Sequence, residues 1–199
     1  MPPLKPIPDW QLWWHARSEV LAKQFGPPDE LIGHAVIPFD LGFELGGAAD
    51  ILYFRRHIRG TVGITASLIG RNDQVANSLG NYELAICHKA NEEEGLDLIS
   101  KLAYYTRDAV IEPGETMDLG TAVPEGSTVC ALLFAEFARF EIRGRRAGVL
   151  LCIGITRDEL IACRAGYRER VEYMLKAMDV WPYTEFFRQS TVQPGTWTD

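Results

Sequence analysis

Gly148-Val149-Leu150-Leu151-Cys152-Ile153-Gly154-Ile155, followed at once by Thr156-Arg157-Asp158-Glu159, decides how this chain is built. The first eight residues carry no polar side chain beyond one thiol. A strand with one wet face would alternate, so this run reads as a central strand covered on both sides. The next four place a hydroxyl three residues ahead of a glutamate, the capping box that opens a helix. A short helix to about Cys163 follows, Gly166 interrupts it, and a second helix runs to about Met178. Val171, Met174, Leu175 and Met178 line the apolar face of that second helix.

Upstream, the turn Arg143-Gly144-Arg145-Arg146 separates the central run from two strand-like segments, 129–134 and 136–142. Phe137 and Phe140 have opposite parity, which predicts a bulge or cover on both faces. Further strands are read at 34–39, 50–55, 60–67 and 82–88. Asp9 caps a helix to about Phe25, with Trp10, Trp13, Trp14, Val20, Leu21 and Phe25 mostly on one face, and Gly26-Pro27-Pro28 stops it. The tryptophan face is read as core packing, with a partner-anchoring exposed part as the alternative. A second helix is read from near Asn91 to Asp108. Glu92, Glu93 and Glu94 crowd its first turn, where the macrodipole favours negative charge. Residues 68–81, rich in glycine and asparagine, read as a long mobile polar loop, and 112–128 as turns. The expected organisation is a flexible proline-rich arm at 1–8, one domain at 9–188 and a loose tail at 189–199. The expected fold class is α+β, one mixed sheet packed by helices.

The chain has 199 residues, of which 47% are apolar and 11% aromatic, so it is not a disordered chain. A chain of this length buries roughly 70% of its unfolded surface, enough to fold without disulfides or metal. No apolar run reaches the ~18 residues of a membrane helix. Met1 to Pro8 has no apolar signal core, so a cytoplasmic protein with no membrane partner is expected. The net charge of −7 disfavours nucleic-acid binding and suits a basic protein partner. Cys87, Cys130, Cys152 and Cys163 form no CxxC, and the closest pair, Cys152 and Cys163, is 11 residues apart. They read as buried free thiols rather than metal ligands.

Signatures of hydrolases, P-loop enzymes, zinc proteases and dinucleotide-binding folds are absent from the sequence. His15, His34, His57 and His88 are isolated. The His15–Glu19 pair reads as a helix-face ion pair. Cys87 and His88 are strand neighbours that point to opposite faces, a poor nucleophile–base pair. No catalytic residue, cofactor or metal is assigned. Glu83, His88 and the loop around Asn72-Asp73 are the residues an unrecognised enzyme would use. A small-ligand-binding protein is the remaining alternative. Two basic turns stand out: Arg55, Arg56 and Arg59 in one, Arg143, Arg145 and Arg146 in the other. Arginine forks suit carboxylate or phosphate, so these six are the candidate partner-binding residues.

The order of segments resembles one family. Thr61-Val62-Gly63-Ile64-Thr65-Ala66-Ser67-Leu68 leads to Tyr82-Glu83-Leu84-Ala85-Ile86, then to a helix at Leu96-Asp97-Leu98-Ile99-Ser100-Lys101-Leu102-Ala103. The Pro113-Gly114 turn, the Cys130-Ala131-Leu132-Leu133 strand and the Leu150–Leu160 strand–helix junction follow. Pro182-Tyr183-Thr184 and Arg188-Gln189-Ser190 close the series. Over 45–192 this pattern resembles the suppressor of fused (SUFU-like) domain family. The resemblance implies a mixed α/β domain without known enzymatic activity that binds a protein. The animal member is a cytoplasmic regulator that clasps a transcription-factor peptide by strand addition. It has a second domain for which this chain leaves no room. Bacterial relatives of single-domain type are proposed to be immunity proteins that neutralise toxin domains. No binding residue is carried over from the family.

Overall fold

The computed structural model describes residues 9–30, 32–89 and 95–192. The expected arm at 1–8, the expected helix start at Asn91 to Glu94 and the tail beyond 192 lie outside the described residues. In chain order the elements are α1 (Asp9–Phe25), β1 (Ile32–Gly33), β2 (Ile51–Phe54), β3 (Thr61–Thr65), β4 (Asn81–His88), α2 (Leu96–Tyr105), β5 (Thr116–Asp118), β6 (Val129–Ile142), β7 (Arg145–Thr156), α3 (Arg157–Ala162) and α4 (Arg168–Ala177). Seven strands form one sheet in the order β1-β2-β3-β4-β7-β6-β5. Every pairing is antiparallel except β4 with β7, where Asn81–Ala85 run parallel to Ala147–Leu151.

The apolar run is the core of the sheet. β7 lies between β4 and β6, and all ten of its residues from Ala147 to Thr156 are buried. Its side chains divide by parity. Val149, Leu151, Ile153 and Ile155 join Leu21 and Phe25 of α1, Leu160 of α3 and Val171 and Leu175 of α4. Leu150 and Cys152 join Ile99, Leu102 and Ala103 of α2 on the opposite face. The result is one sheet between two helical layers, the α+β arrangement expected from the sequence. The capping box forms: Thr156 N–H donates to Glu159 Oε2 at 2.8 Å.

The 129–134 and 136–142 segments are one long strand with register shifts at Val129/Ala131 and Glu136/Ala138, the bulge that the phenylalanine parity predicts. Arg143 and Gly144, both at positive φ, make a two-residue hairpin turn. Arg145 and Arg146 belong to β7 and pair with Ile142 and Glu141. At the β2–β3 turn, Gly60 has φ +103°, and a Cβ there would sit 2.0 Å from the His88 carbonyl oxygen. Gly60→Ala is therefore expected to lose at least ~2 kcal/mol, since neither the backbone conformation nor the space admits a side chain. Urea denaturation checks this, and a loss below ~0.5 kcal/mol would contradict it.

Four expectations need correction. Residues 34–39 are not a strand. Pro38 has no N–H, Ala35 N–H is taken by Asp50 Oδ1 at 3.0 Å, and Val36 is 99% exposed. Within the segment read as turns, Thr116–Asp118 form edge strand β5, a run too short to show alternation. Residues 68–81 are pinned rather than a mobile loop. The Gln74 amide donates to Tyr82 O and accepts from Tyr82 N–H, and Asn77 donates to Ile111 O at 2.8 Å. Leu68, Ile69 and Leu79 are buried beneath them. Within the expected loose tail, Thr191 and Val192 are buried too.

Candidate functional site

On the buried face of α1, Trp14, Arg17, Leu21 and Phe25 recur at helical spacing, so a guanidinium is carried into the apolar stripe. The Arg17 side chain is only 8% exposed and meets Glu83 of β4, which is fully buried. Glu83 is nearly saturated by other donors. Its Oε1 accepts Leu68 N–H at 2.9 Å and Ile69 N–H at 2.8 Å, and its Oε2 accepts the Thr65 hydroxyl at 2.6 Å. Arg17 Nε stands off at 3.7 Å. Arg17 Nη1 donates to Ile69 O at 2.9 Å. Burial pushes the Glu83 carboxyl above its ordinary range, against the pull of Arg17 and these donors. Burial likewise lowers Arg17.

Above this pair opens a cleft of about 480 Å³, with Trp13, Trp14 and Arg17 on one side and Phe39, Asp40, Asp50 and Arg71 on the other. Arg71 bonds to Asp73 and Asp40 and lies over the Phe39 ring, 4.9 Å from its centroid. Its hydrogen bonds to these two carboxylates raise its affinity for a proton. Gly70 makes the wall possible. At φ +99°, its missing side chain leaves room for the Trp13 ring, which a Cβ would approach to 2.6 Å. The tryptophans are not uniformly core. Trp10 is 69% exposed, and Trp13 and Trp14 are half-buried at the cleft.

The two basic turns lie apart. Arg143 donates to Asp9 at 2.9 Å, at the first turn of α1, and Arg143 and Arg145 stack on Trp13. Arg145 also reaches Asn72 at 3.4 Å, and Arg146 is exposed. The other turn packs near the last residue of α1, where the His57 ring centroid is 4.8 Å from that of Phe25. Arg55 is paired with Asp29 at 2.6 Å, while Arg56 and Arg59 are exposed. A 17-residue helix spans about 25 Å, so the six arginines form two patches.

The residues suspected for catalysis are also separated. Glu83 and His88 lie five positions apart on β4, about 17 Å along the strand. His88 Nδ1 faces Thr184 O at 3.1 Å, and Asp73 is committed to Arg71 and Arg107. All four cysteines are free thiols. Cys87 and Cys152 are buried as expected, but Cys130 and Cys163 are only half-buried. Burial pushes the Cys163 thiol up to about 11. Among the described residues, no three His, Cys, Asp or Glu side chains cluster to hold a metal, and no helix is long and apolar enough to cross a membrane.

The sheet ends on short strands. β5 pairs with β6 through Thr116–Leu133, Met117–Leu132 and Asp118–Ala131. Leu119 N–H donates to Cys130 O, so by the two-residue period Met117 faces β6 and the backbone groups of Thr116 face outward. Beside this edge lies a groove of about 440 Å³ lined by Tyr105, Val110, Met117, Phe134 and Cys163. At the far end of β7, Arg188 Nη1 and Nη2 bridge both oxygens of the buried Glu159, and Nη2 also caps Gly154 O at 2.8 Å. Glu159 accepts Thr191 N–H and hydroxyl as well. Burial opposes the charge on Glu159, but Arg188 and these donors hold its carboxyl below the ordinary range.

The whole topology recurs in a solved structure. A suppressor of fused homologue from Neisseria gonorrhoeae superposes with a TM-score of 0.64 over 91% of this chain and 97% of that one, at 16% identity. The fold is that of suppressor of fused. A chain of the Sufu–Fu complex matches with a TM-score of 0.61 at 15% identity, over 94% of this chain and 93% of that one. Suppressor of fused from Drosophila matches with 0.58 at 16% identity over 94% of this chain, which spans only 52% of the Drosophila chain. No protein-family model and no curated protein sequence matches the chain. The suppressor of fused fold is thus shared at 15–16% sequence identity.

Proposed function

We propose that this chain is a protein-binding module that captures an extended segment of its partner along the outer edge of β5. The supporting observation is the edge itself: outward backbone groups at Thr116, no strand beyond it among the described residues, and an adjoining groove that mixes Glu115 and Thr116 with Met117 and Phe134. Added strands draw affinity from main-chain hydrogen bonds and specificity from such side-chain pockets. β1, the opposite edge, has two residues and offers a shorter template. The existence of a Sufu–Fu complex on this fold agrees with a binding role.

Thr116→Pro tests this reading. Proline removes one outward N–H, leaves the bonds of β5 to β6 in place and is tolerated on an edge strand. Thermal stability is expected to stay within a few degrees, while affinity for a partner that co-purifies with the wild-type protein falls at least tenfold. Unchanged affinity in a folded variant would remove the edge from the mechanism. The net charge of −7 favours a basic partner, and the narrower form of the proposal is an immunity protein that neutralises a basic toxin domain. Co-expression with a basic toxin encoded beside it is expected to protect cells, and failure to protect would remove the narrower form alone.

A further inference from the structure

The cleft under α1 shares no lining residue with the β5 groove. Its floor holds a mismatch of donors and acceptors. Arg17 has five N–H groups, and its one hydrogen bond to the described residues is from Nη1 to Ile69 O. Nε has no hydrogen-bond partner among the described residues. Glu83 does not consume these donors, because two backbone N–H groups and a hydroxyl already occupy its oxygens and Arg17 stands 3.7 Å away. The other carboxylates in the lining make no hydrogen bond to Arg17, although the Asp50 charge also acts on it. Asp9 pairs with Arg143, Asp40 with Arg71, and Asp50 with Ala35 N–H and His34. An arginine more than nine-tenths buried therefore lines the cleft with donors unspent.

We propose that this cleft binds a small aromatic carboxylate, with its acid group on Arg17 and its ring between Trp13, Trp14 and Phe39. The planar guanidinium fork matches a carboxylate. Trp14 already lies under Arg17, 5.1 Å from the guanidinium carbon to the ring centroid, so a ligand ring would extend an existing stack. The volume of about 480 Å³ falls in the ~300–1,000 Å³ range of small-molecule sites.

Benzoate, benzamide and benzylamine titrated against the wild-type chain, followed by tryptophan fluorescence and calorimetry, test the proposal without any mutation. Benzoate is expected to bind at least about tenfold tighter than benzamide, the difference between a charge-assisted and a neutral hydrogen bond. Benzylamine is expected not to bind. Equal affinity for benzoate and benzamide, preference for benzylamine, or no binding of benzoate at millimolar concentration would each overturn it. In Trp14→Leu, which leaves the Arg17–Glu83 pair in place, benzoate affinity is expected to fall at least threefold. An unchanged value would remove the stack from the site.

Discussion

Replacing Glu83 with alanine is expected to cost about 3–5 kcal/mol, the effect of stripping a buried ion of its counter-charge. One carboxylate serves four groups: the Arg17 guanidinium, the Thr65 hydroxyl and the N–H groups of Leu68 and Ile69. Alanine leaves the Leu68 and Ile69 N–H groups buried without their acceptor and Arg17 without its counter-charge. The two backbone donors open the segment that carries Gly70 and Arg71, so the loss spreads to the wall of the cleft. A small domain has roughly 5–15 kcal/mol in total, so this change removes a large part of it. The urea midpoint should fall sharply while the slope stays constant. A loss below ~1 kcal/mol would show that water replaces the carboxylate without penalty. Arg17→Met should cost less than Glu83→Ala, because Glu83 keeps three of its donors.

The second large effect is expected at the other end of the sheet. Arg188→Ala leaves Glu159 fully buried with its charge uncompensated, and about 3–5 kcal/mol should be lost. The same pair gives a pH dependence of known sign. The folded Glu159 carboxyl titrates below its ordinary value, so it adds stability above that value and loses it as pH falls through the folded one. In the wild type, stability should therefore decline as pH drops below about 4.3, the ordinary glutamate value. In Glu159→Gln that decline should be shallower. Midpoints measured from pH 7 to pH 3 for both proteins check the point, and parallel curves would contradict it.

Several features of the fold were legible because they rest on local chemistry. The uniform apolar run 148–155 required cover on two faces, and Thr156 with Glu159 marked the helix start one residue later. The Phe137/Phe140 parity conflict announced a real bulge. The failures share a cause. Val36 and Ile37 look like strand residues, but strands are made by partners: Val36 lies open to solvent, and the bond from Ala48 N–H to Ile37 O belongs to an isolated bridge. Gln74 and Asn77 look like loop residues, but their amides are spent on Tyr82 and Ile111, contacts set by the tertiary fold. The functional surfaces were harder still. The basic turns were visible as arginine counts, yet only the three-dimensional arrangement separates them by the length of α1. Arg17 left one trace in the sequence, a charge at helical spacing among Trp14, Leu21 and Phe25. Its partner Glu83 was singled out, but as a catalytic suspect rather than a counter-ion. The β5 edge left none, since three residues cannot display a period.

The parallel seam between β4 and β7 has a consequence for how the molecule can come apart. On one side of it, β1 to β4 form an antiparallel block, and on the other β5 to β7 form a second. Each block is assembled from neighbours in the chain, yet each presents a buried, largely apolar strand to the seam. Separated, both would expose a naked hydrophobic edge of the kind that recruits foreign strands and aggregates. Neither block is expected to stand alone, so a single cooperative melting step is expected, with a cut in the chain between the blocks tolerated only while the seam stays closed.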